Sequence, residues 1–274
     1  MVKALEHTAL NMERALVSLI ELWDKRINQP WEVEATRHAS NVAMVSAYTQ
    51  HVVNLSRAVL VLHRAGLDFE LVGLVRSSME CVATTCWLYL FPEKTAQLVV
   101  SSSGELVKVV KSFEQAGFDI SDDTVSAEHK VLLDKLGKPD DIEAQMLWRR
   151  FVAVGGGRQL YAIYRVLCSF DHATNALADQ YTEAPDPDGP PHLRNTARDN
   201  DGDPSHYIGL QVLMLLRAQI AADLMLKKRR HHTQLDAWAA RLGVDPRILA
   251  ASDVEAAEAD AAADGAQPTS TKPS

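Results

Sequence analysis

LVGLVRSSMECVATTCWLYLF, residues 71–91, contains only two charged residues, Arg76 and Glu80, in twenty-one positions. The stretch is long enough to cross a membrane. Its two charges and its serines and threonines are costly in a bilayer, however, and its flanks lack a basic anchor. A long apolar helix with few charges is also typical of the centre of a helical bundle, where other helices surround it. The stretch therefore predicts a central bundle helix and no contact with a membrane.

Helical periodicity continues through most of the chain on both sides of this segment. Apolar residues recur at helical spacing, no stretch alternates for long as a β-strand does, and prolines and glycines separate the periodic segments. We predict an all-α fold, a multi-helix bundle of about eight or nine helices. The predicted helices cover approximately residues 3–27, 33–65, 69–91, 93–116, 122–136, 140–153, 158–181, 206–231 and 233–242.

The predicted helices form one domain, residues 1–252, which includes a long loop over 183–205. This loop is rich in proline and short of apolar residues, so it cannot bury a core, and its length is typical of a mobile flap or an insertion. Residues 253–274 hold five acids and one base among many alanines, and they end in a Pro/Ser/Thr-rich stretch. We expect this segment to be a disordered acidic tail.

Composition and charge restrict the classes of function. The chain has 274 residues and a net charge of −8, of which −4 belongs to residues 253–274, so no general basic field recruits nucleic acid. Three cysteines are too few for a disulfide framework, and the N-terminal segment alternates charged and apolar residues, unlike a signal peptide. No two of the ten histidines are four positions apart, the spacing that would let a helix present both to a zinc ion. We expect a cytoplasmic protein without a metal ion or other cofactor.

A second group of polar residues lies in YRVLCSFDHAT, residues 164–174. At about 100° per residue, Arg165, Ser169 and His172 fall on one stripe of a continuous helix. Tyr164 and Asp171 flank one edge of that stripe. The polar residues thus occupy a face of their own, and the opposite face is left for the core.

Arg76 and Glu80 also share one face of their apolar helix. Burying two charges costs several kcal/mol unless they are paired and hydrogen-bonded, so we expect this pair to find further partners on another helix. Together the two groups form the predicted site. It comprises Arg165 and His172 as catalytic residues and Arg76, Glu80, Tyr164, Ser169 and Asp171 as binding residues.

The spacing alone leaves three interpretations of this site open. In the first, the polar stripe is solvated surface or a structural network that holds neighbouring helices in register. In the second, the site is catalytic. In the third, its arginines bind a carboxylate or phosphate of a small anionic metabolite.

The residues Arg76-x-x-x-Glu80, followed by Tyr164-Arg165-x-Leu167-x-Ser169 and His172, resemble an uncharacterised bacterial helical family, domain of unknown function fifty-six seventy-seven. The resemblance covers roughly residues 40–230 and implies an all-helical fold. Members of that family often carry a serine where this chain has Cys168, and here the serine comes one position later. The family brings no established activity.

Arg165-x₆-His172 is also similar to the Arg-x₄₋₆-His signature of HEPN proteins, small helical domains often found as ribonucleases in bacterial toxin and phage-defence systems. The resemblance implies metal-independent cleavage, in which the 2′-hydroxyl of RNA attacks the adjacent phosphate. Histidine transfers protons and arginine stabilises charge on the phosphorane, which are roles that suit these two side chains. It also implies a homodimer, since more than one Arg–His pair surrounds the phosphate.

The predicted function is therefore a HEPN-like metal-independent ribonuclease with RNA as its partner. The alternative is a non-catalytic helical binding or scaffold module, in which Arg76, Glu80, Arg165 and His172 form a structural network.

Two further features allow either a structural or a functional interpretation. The basic run Lys227–His232 complements the dipole at a helix C-terminus, or it forms an RNA-contacting edge near Arg165 and His172. Gly155-Gly156-Gly157 is a flexible hinge, or its amides surround a phosphate at the start of the following helix.

Overall fold

In this computed structural model, the structure describes residues 6, 8–29, 31–34, 37–118, 127, 131, 142–183, 192–201, 203 and 205–265. Nearly all of the regular structure in these residues is helical, so the prediction of an all-α bundle is confirmed. The α-helices are α1 (Ala9–Ile27), α2 (Ala39–Arg64), α3 (Val72–Leu90), α4 (Thr95–Gln115), α5 (Ile142–Gln145), α6 (Leu147–Val152), α7 (Gly157–Asp171), α8 (Asn175–Tyr181), α9 (Ser205–Leu224), α10 (His232–Leu242) and α11 (Ala251–Gly265).

Short elements connect these helices. Single 3₁₀ turns cover Phe69–Leu71, Pro92–Lys94 and Arg198–Asp201. Two strands of two residues each, β1 (Thr182–Glu183) and β2 (His192–Leu193), pair antiparallel beside α8.

The centre of the bundle is α9, which packs against α1, α2 and α3. Twelve of its twenty residues are buried. Two of the polar ones are hydrogen-bonded to neighbouring helices, through the 2.7 Å bond from Gln211 to the Ser56 hydroxyl and the 2.8 Å bond from Gln219 to the Leu19 carbonyl. The predicted central helix, α3, is also largely buried, because it is covered by α2, α9, α6 and α7.

Among the described helices, α9 alone is long and apolar enough to cross a membrane. Within the bundle, 67% of the most apolar stretch of α9 is buried. The neighbouring helices that cover this stretch explain its apolar composition.

The helices run between two ends of the bundle. At one end, Met12 of α1 lies near Gly209 of α9, and the last residue of α7, Asp171, reaches Gly73 near the start of α3. At the other end, the Arg26 guanidinium donates to the Ala222 carbonyl. We call these the loop end and the basic end, because the second also carries residues 227–232. A helix of twenty residues separates them by about 30 Å.

Several helix boundaries differ from the predicted ones. The segment predicted as one helix over 158–181 is broken, because Thr174 caps α8 by accepting from the Leu177 amide, and His172 adopts an extended conformation. The predicted helix over 206–231 ends at Leu224, and the Lys227 amide donates to the Glu32 carbonyl at 2.9 Å. The predicted helix over 122–136 lies outside the described residues, apart from two single positions.

The C-terminal segment is helical further than expected. Helix α11 covers Ala251–Gly265, where the disordered tail was predicted to begin at 253, and its many alanines favour a helix. The segment before it is fixed to the glycine turn, since the Gly155 amide donates to the Leu249 carbonyl at 2.8 Å. Residues 266–274 lie outside the described part of the chain.

The long loop over 183–205 is docked where the structure describes it. Asn200 accepts from the Phe69 amide at 2.5 Å and donates to the Glu70 carboxylate at 3.1 Å. Tyr207 donates to Asp199 at 3.2 Å. Asp199 and Asn200 thus dock this part of the loop at the loop end of the bundle.

Candidate functional site

The candidate site lies where α7 crosses α3 in the opposite direction. Leu167 is buried and Leu160 half-buried on the inner side of α7, and Tyr164 and Asp171 share that side at helical spacing. Burial of the apolar residues therefore brings the two polar side chains towards α3.

Arg76 is the centre of the site. Its Nη1 donates to Glu80 Oε1 at 2.7 Å, and its Nε pairs with Asp171 Oδ2 at 2.7 Å. The Tyr164 hydroxyl donates to the same Glu80 oxygen at 2.9 Å. We call these four residues the Arg76 network. Its charged side chains are between 22% and 35% exposed, so water reaches part of the network and screens its ion pairs.

The network determines the ionisation of its members. Burial lowers the pKa of Arg76, but the hydrogen bond with Tyr164 and the charges of Glu80 and Asp171 outweigh it, so the pKa is raised. Burial, together with the hydrogen bonds to Cys168 and Glu80, raises the pKa of Tyr164. Arg76 therefore stays charged and Tyr164 stays neutral across the physiological range.

Aromatic side chains form the edge of the network next to α6. The rings of Tyr161 and Tyr164 are stacked at a centroid distance of 5.9 Å and an angle of 20°. The Phe151 ring lies 5.6 and 5.4 Å from the two of them. Such contacts fix the position of the Tyr164 ring, and thus of its hydroxyl.

A second arginine, Arg150, was missed by the sequence analysis. Its Nη1 donates to the Thr84 hydroxyl at 2.7 Å, and burial lowers its pKa. Burial, followed by the charge of Glu80, raises the pKa of the neighbouring Cys81 to about 11, so this thiol is protonated at neutral pH. Arg150 belongs to a short amphipathic segment, and nothing in its local sequence indicates that it would lie against α3.

The structure does not bring the two predicted catalytic residues into the Arg76 network. Arg165 is exposed, and its hydrogen bond with the Tyr161 hydroxyl raises its pKa. His172 is exposed and follows the end of α7, so the expected stripe of one continuous helix is wrong. Ser169 donates to the Val166 carbonyl of its own helix at 2.6 Å. Of the seven predicted site residues, Arg76, Glu80, Tyr164 and Asp171 come together.

The basic run lies at the opposite end of the bundle from His172. It follows α9, and Lys228 pairs with Glu32 at 2.9 Å. It therefore forms no common edge with the end of α7. Next to it, Arg26 is buried between the rings of Trp23 and Trp31, each 5.1 Å away, and burial lowers its pKa to about 10.

The glycine turn before α7 is closed by the chain itself. A Cβ at Gly155 would lie 2.8 Å from a Val254 methyl group and 3.3 Å from the Leu249 carbonyl oxygen. The Gly155 amide already donates to that carbonyl. This amide is therefore engaged within the protein and is not directed at an anion.

These contacts restrict what the site can do chemically. The Arg76 guanidinium faces two carboxylates, so it is not directed outward as a clamp for the carboxylate or phosphate of a metabolite. In the described residues, no group of three or more His, Cys, Asp or Glu side chains is arranged to hold a metal ion. The geometry is that of a partly buried network joining two helices.

Comparison with known proteins assigns this chain to no family. No protein-family model matches the chain, and neither does any curated protein or solved structure.

Proposed function

We propose that this protein is a non-catalytic helical binding or scaffold module in which the Arg76 network fixes α7 on α3. One observation carries the proposal: Arg76 makes two 2.7 Å ion pairs, one to Glu80 on its own helix and one to Asp171 at the end of α7. A partly buried network of this kind selects which turn of one helix packs against which turn of the other.

The membership of the network also supports this proposal. Arg165 and His172, which the catalytic hypothesis needs, are exposed and lie outside it. The network instead contains two carboxylates that pair with Arg76 and a tyrosine that stays neutral. These groups are suited to hold two helices together.

The second candidate is a HEPN-like metal-independent ribonuclease of a bacterial stress or phage-defence system, acting in the cytoplasm on RNA as a homodimer. The exposure of Arg165 and His172 favours it, because RNA in solution can reach both side chains. A guanidinium and an imidazole are suited to stabilise a phosphorane and to transfer protons.

RNA cleavage in EDTA separates the two candidates. The full chain, Arg165→Ala and His172→Ala would be incubated with single-stranded and structured RNA, and each melting temperature would be measured. We expect no cleavage by any of the three beyond a buffer control. We also expect unchanged melting temperatures, because both side chains are exposed.

Cleavage by the wild type that is lost in Arg165→Ala and in His172→Ala, with both variants still folded, would overturn the proposal and establish the ribonuclease. Arg76→Gln is the matched control. It should lower the melting temperature in either case, because it leaves Asp171 and Glu80 without their cation.

A further inference from the structure

An apolar groove lies along one side of α9, next to the contact of α9 with the start of α1. Its floor is formed by His206, Gly209, Leu210 and Leu213, which share one face of α9 at helical spacing. Its walls come from three other helices and include Met12 of α1, Ile163 of α7 and Leu242 of α10. The groove has a volume of about 530 Å³, within the range of pockets that hold small molecules.

Gly209 keeps the floor of the groove open. Glycine in the middle of a helix destabilises it, so its presence there calls for a reason. The nearest atoms to a Cβ at this position would be Met12 Cγ and Sδ, at 3.8 and 3.9 Å, which is ordinary van der Waals contact. Packing within the described chain therefore leaves room for a side chain at this position, and the glycine leaves the floor of the groove open.

One end of the groove is polar, at the start of α9. The Asp203 carboxylate accepts from the Ser205 amide at 2.9 Å and from the Ser205 hydroxyl at 2.8 Å. These hydrogen bonds fix its direction and lower its pKa, so that it stays ionised. Each of its oxygens retains a second lone pair for a further donor.

Asp203 is also the one carboxylate among the described residues that line the groove, and none of them is a lysine or an arginine. An anionic head group would thus meet a like charge, and a neutral one would gain little from the site. A cationic head group would pair with Asp203 while an attached chain covered Leu210 and Leu213.

We propose that this groove binds a small aliphatic amine, with its ammonium group on Asp203 and its alkyl chain along Gly209, Leu210 and Leu213. From His206 to Leu213 the floor is roughly 10 Å long, which suits a short alkyl chain better than a peptide helix. The site shares no residue with the Arg76 network or with Arg165 and His172. Its test is therefore independent of the test of the proposed function.

Calorimetric titration of the full chain with octylamine tests the proposal, with octanol and octanoate as matched ligands. We expect saturable binding of octylamine, weaker binding of octanol and the weakest binding of octanoate. Asp203→Asn should lower the affinity for octylamine by about fivefold, as expected for the loss of an exposed ion pair. It should leave the affinity for octanol unchanged.

Two variants test the position of the alkyl chain. Gly209→Leu fills the floor and should abolish binding, while Gly209→Ala, which fits without a clash, serves as the control for folding. Ile163 lies on the wall of the groove and is 38% exposed. Ile163→Arg should therefore also lower the affinity for octylamine without unfolding the protein.

Three results would overturn the proposal. They are no saturable binding, octylamine binding no tighter than octanol or octanoate, and equal binding by wild type and Asp203→Asn. A dimer in light scattering that Gly209→Leu converts to a monomer would assign the groove to a second copy of the chain instead.

Discussion

Gly73 of α3 and Asp171 at the end of α7 approach so closely that a Cβ on Gly73 would lie 2.7 Å from Asp171 Oδ1. The same carboxylate pairs through its other oxygen with Arg76, one helical turn further along α3. The missing side chain at position 73 therefore makes room for the carboxylate that joins the two helices.

This approach predicts that Gly73→Ala depends on Asp171. Glycine to alanine inside a helix stabilises by roughly 0.5–1 kcal/mol. In the wild type this gain should be cancelled or reversed, because the new methyl group displaces the Asp171 carboxylate. In an Asp171→Ala background the full gain should appear. Chemical denaturation of the four proteins measures the difference, and an equal effect of Gly73→Ala in both backgrounds would refute the steric argument.

Tyr164→Phe should destabilise the protein by about 1 kcal/mol, because it removes the hydroxyl that donates to Glu80 at 2.9 Å. Tyr161→Phe is the matched control, since its ring stacks on Tyr164 but its hydroxyl lies on the exposed side of α7 beside Arg165. Thermal melts of both variants would measure the two losses of stability. An equal loss of stability in the two would mean that the hydroxyl of Tyr164 has no special contribution.

Gly157→Ala should destabilise by at least about 2–3 kcal/mol. A Cβ there would lie 1.7 Å from the Phe151 carbonyl oxygen, which is backbone and cannot turn aside. Gly104→Ala in α4 provides the contrast, because nothing lies within 4 Å of its Cβ, and it should stabilise by roughly 0.5–1 kcal/mol. Urea denaturation gives both values, and a tolerated Gly157→Ala would contradict the close contact of α6 with the start of α7.

The stability of the basic end should depend on His231. Burial, followed by the charge of Arg26, lowers the pKa of this imidazole, with Asp223 acting in the opposite direction. The unfolded chain therefore takes up the proton more readily than the folded one. The stabilisation is complete above the unfolded value of about 6.5 and is lost as the pH falls through the folded value.

His231→Asn should consequently lose less stability than the wild type between pH 7 and 5. His192→Asn, at an exposed position on β2, is the control and should follow the wild type. Melting temperatures over this range provide the measurement. Parallel pH profiles for the wild type and His231→Asn would show that this imidazole is not held neutral by its surroundings.

The sequence predicted the fold class because helical periodicity extends through most of the chain, and burial of one face per helix is enough to require a bundle. It also predicted that Arg76 and Glu80 would need partners on another helix, because an isolated buried pair is costly. In the structure, Tyr164 and Asp171 are those partners.

The features that local sequence did not reveal depend on contacts between distant parts of the chain. The wheel that placed His172 beside Arg165 assumed a continuous helix, and the break follows from the cap at Thr174. The role of Arg150 depends on Thr84, sixty-six positions earlier. The end of α9 coincides with a backbone pairing to Glu32, almost two hundred positions away.

A double-mutant cycle between Arg76 and Asp171 tests the central claim most directly. Free energies of unfolding would be measured for the wild type, Arg76→Ala, Asp171→Ala and the double variant. The Arg76 network predicts a coupling energy of roughly 1 kcal/mol or more, since the pair is partly buried and its atoms are in contact. Losses that add to within about 0.3–0.5 kcal/mol would show that the two residues are independent, and that no network fixes α7 on α3.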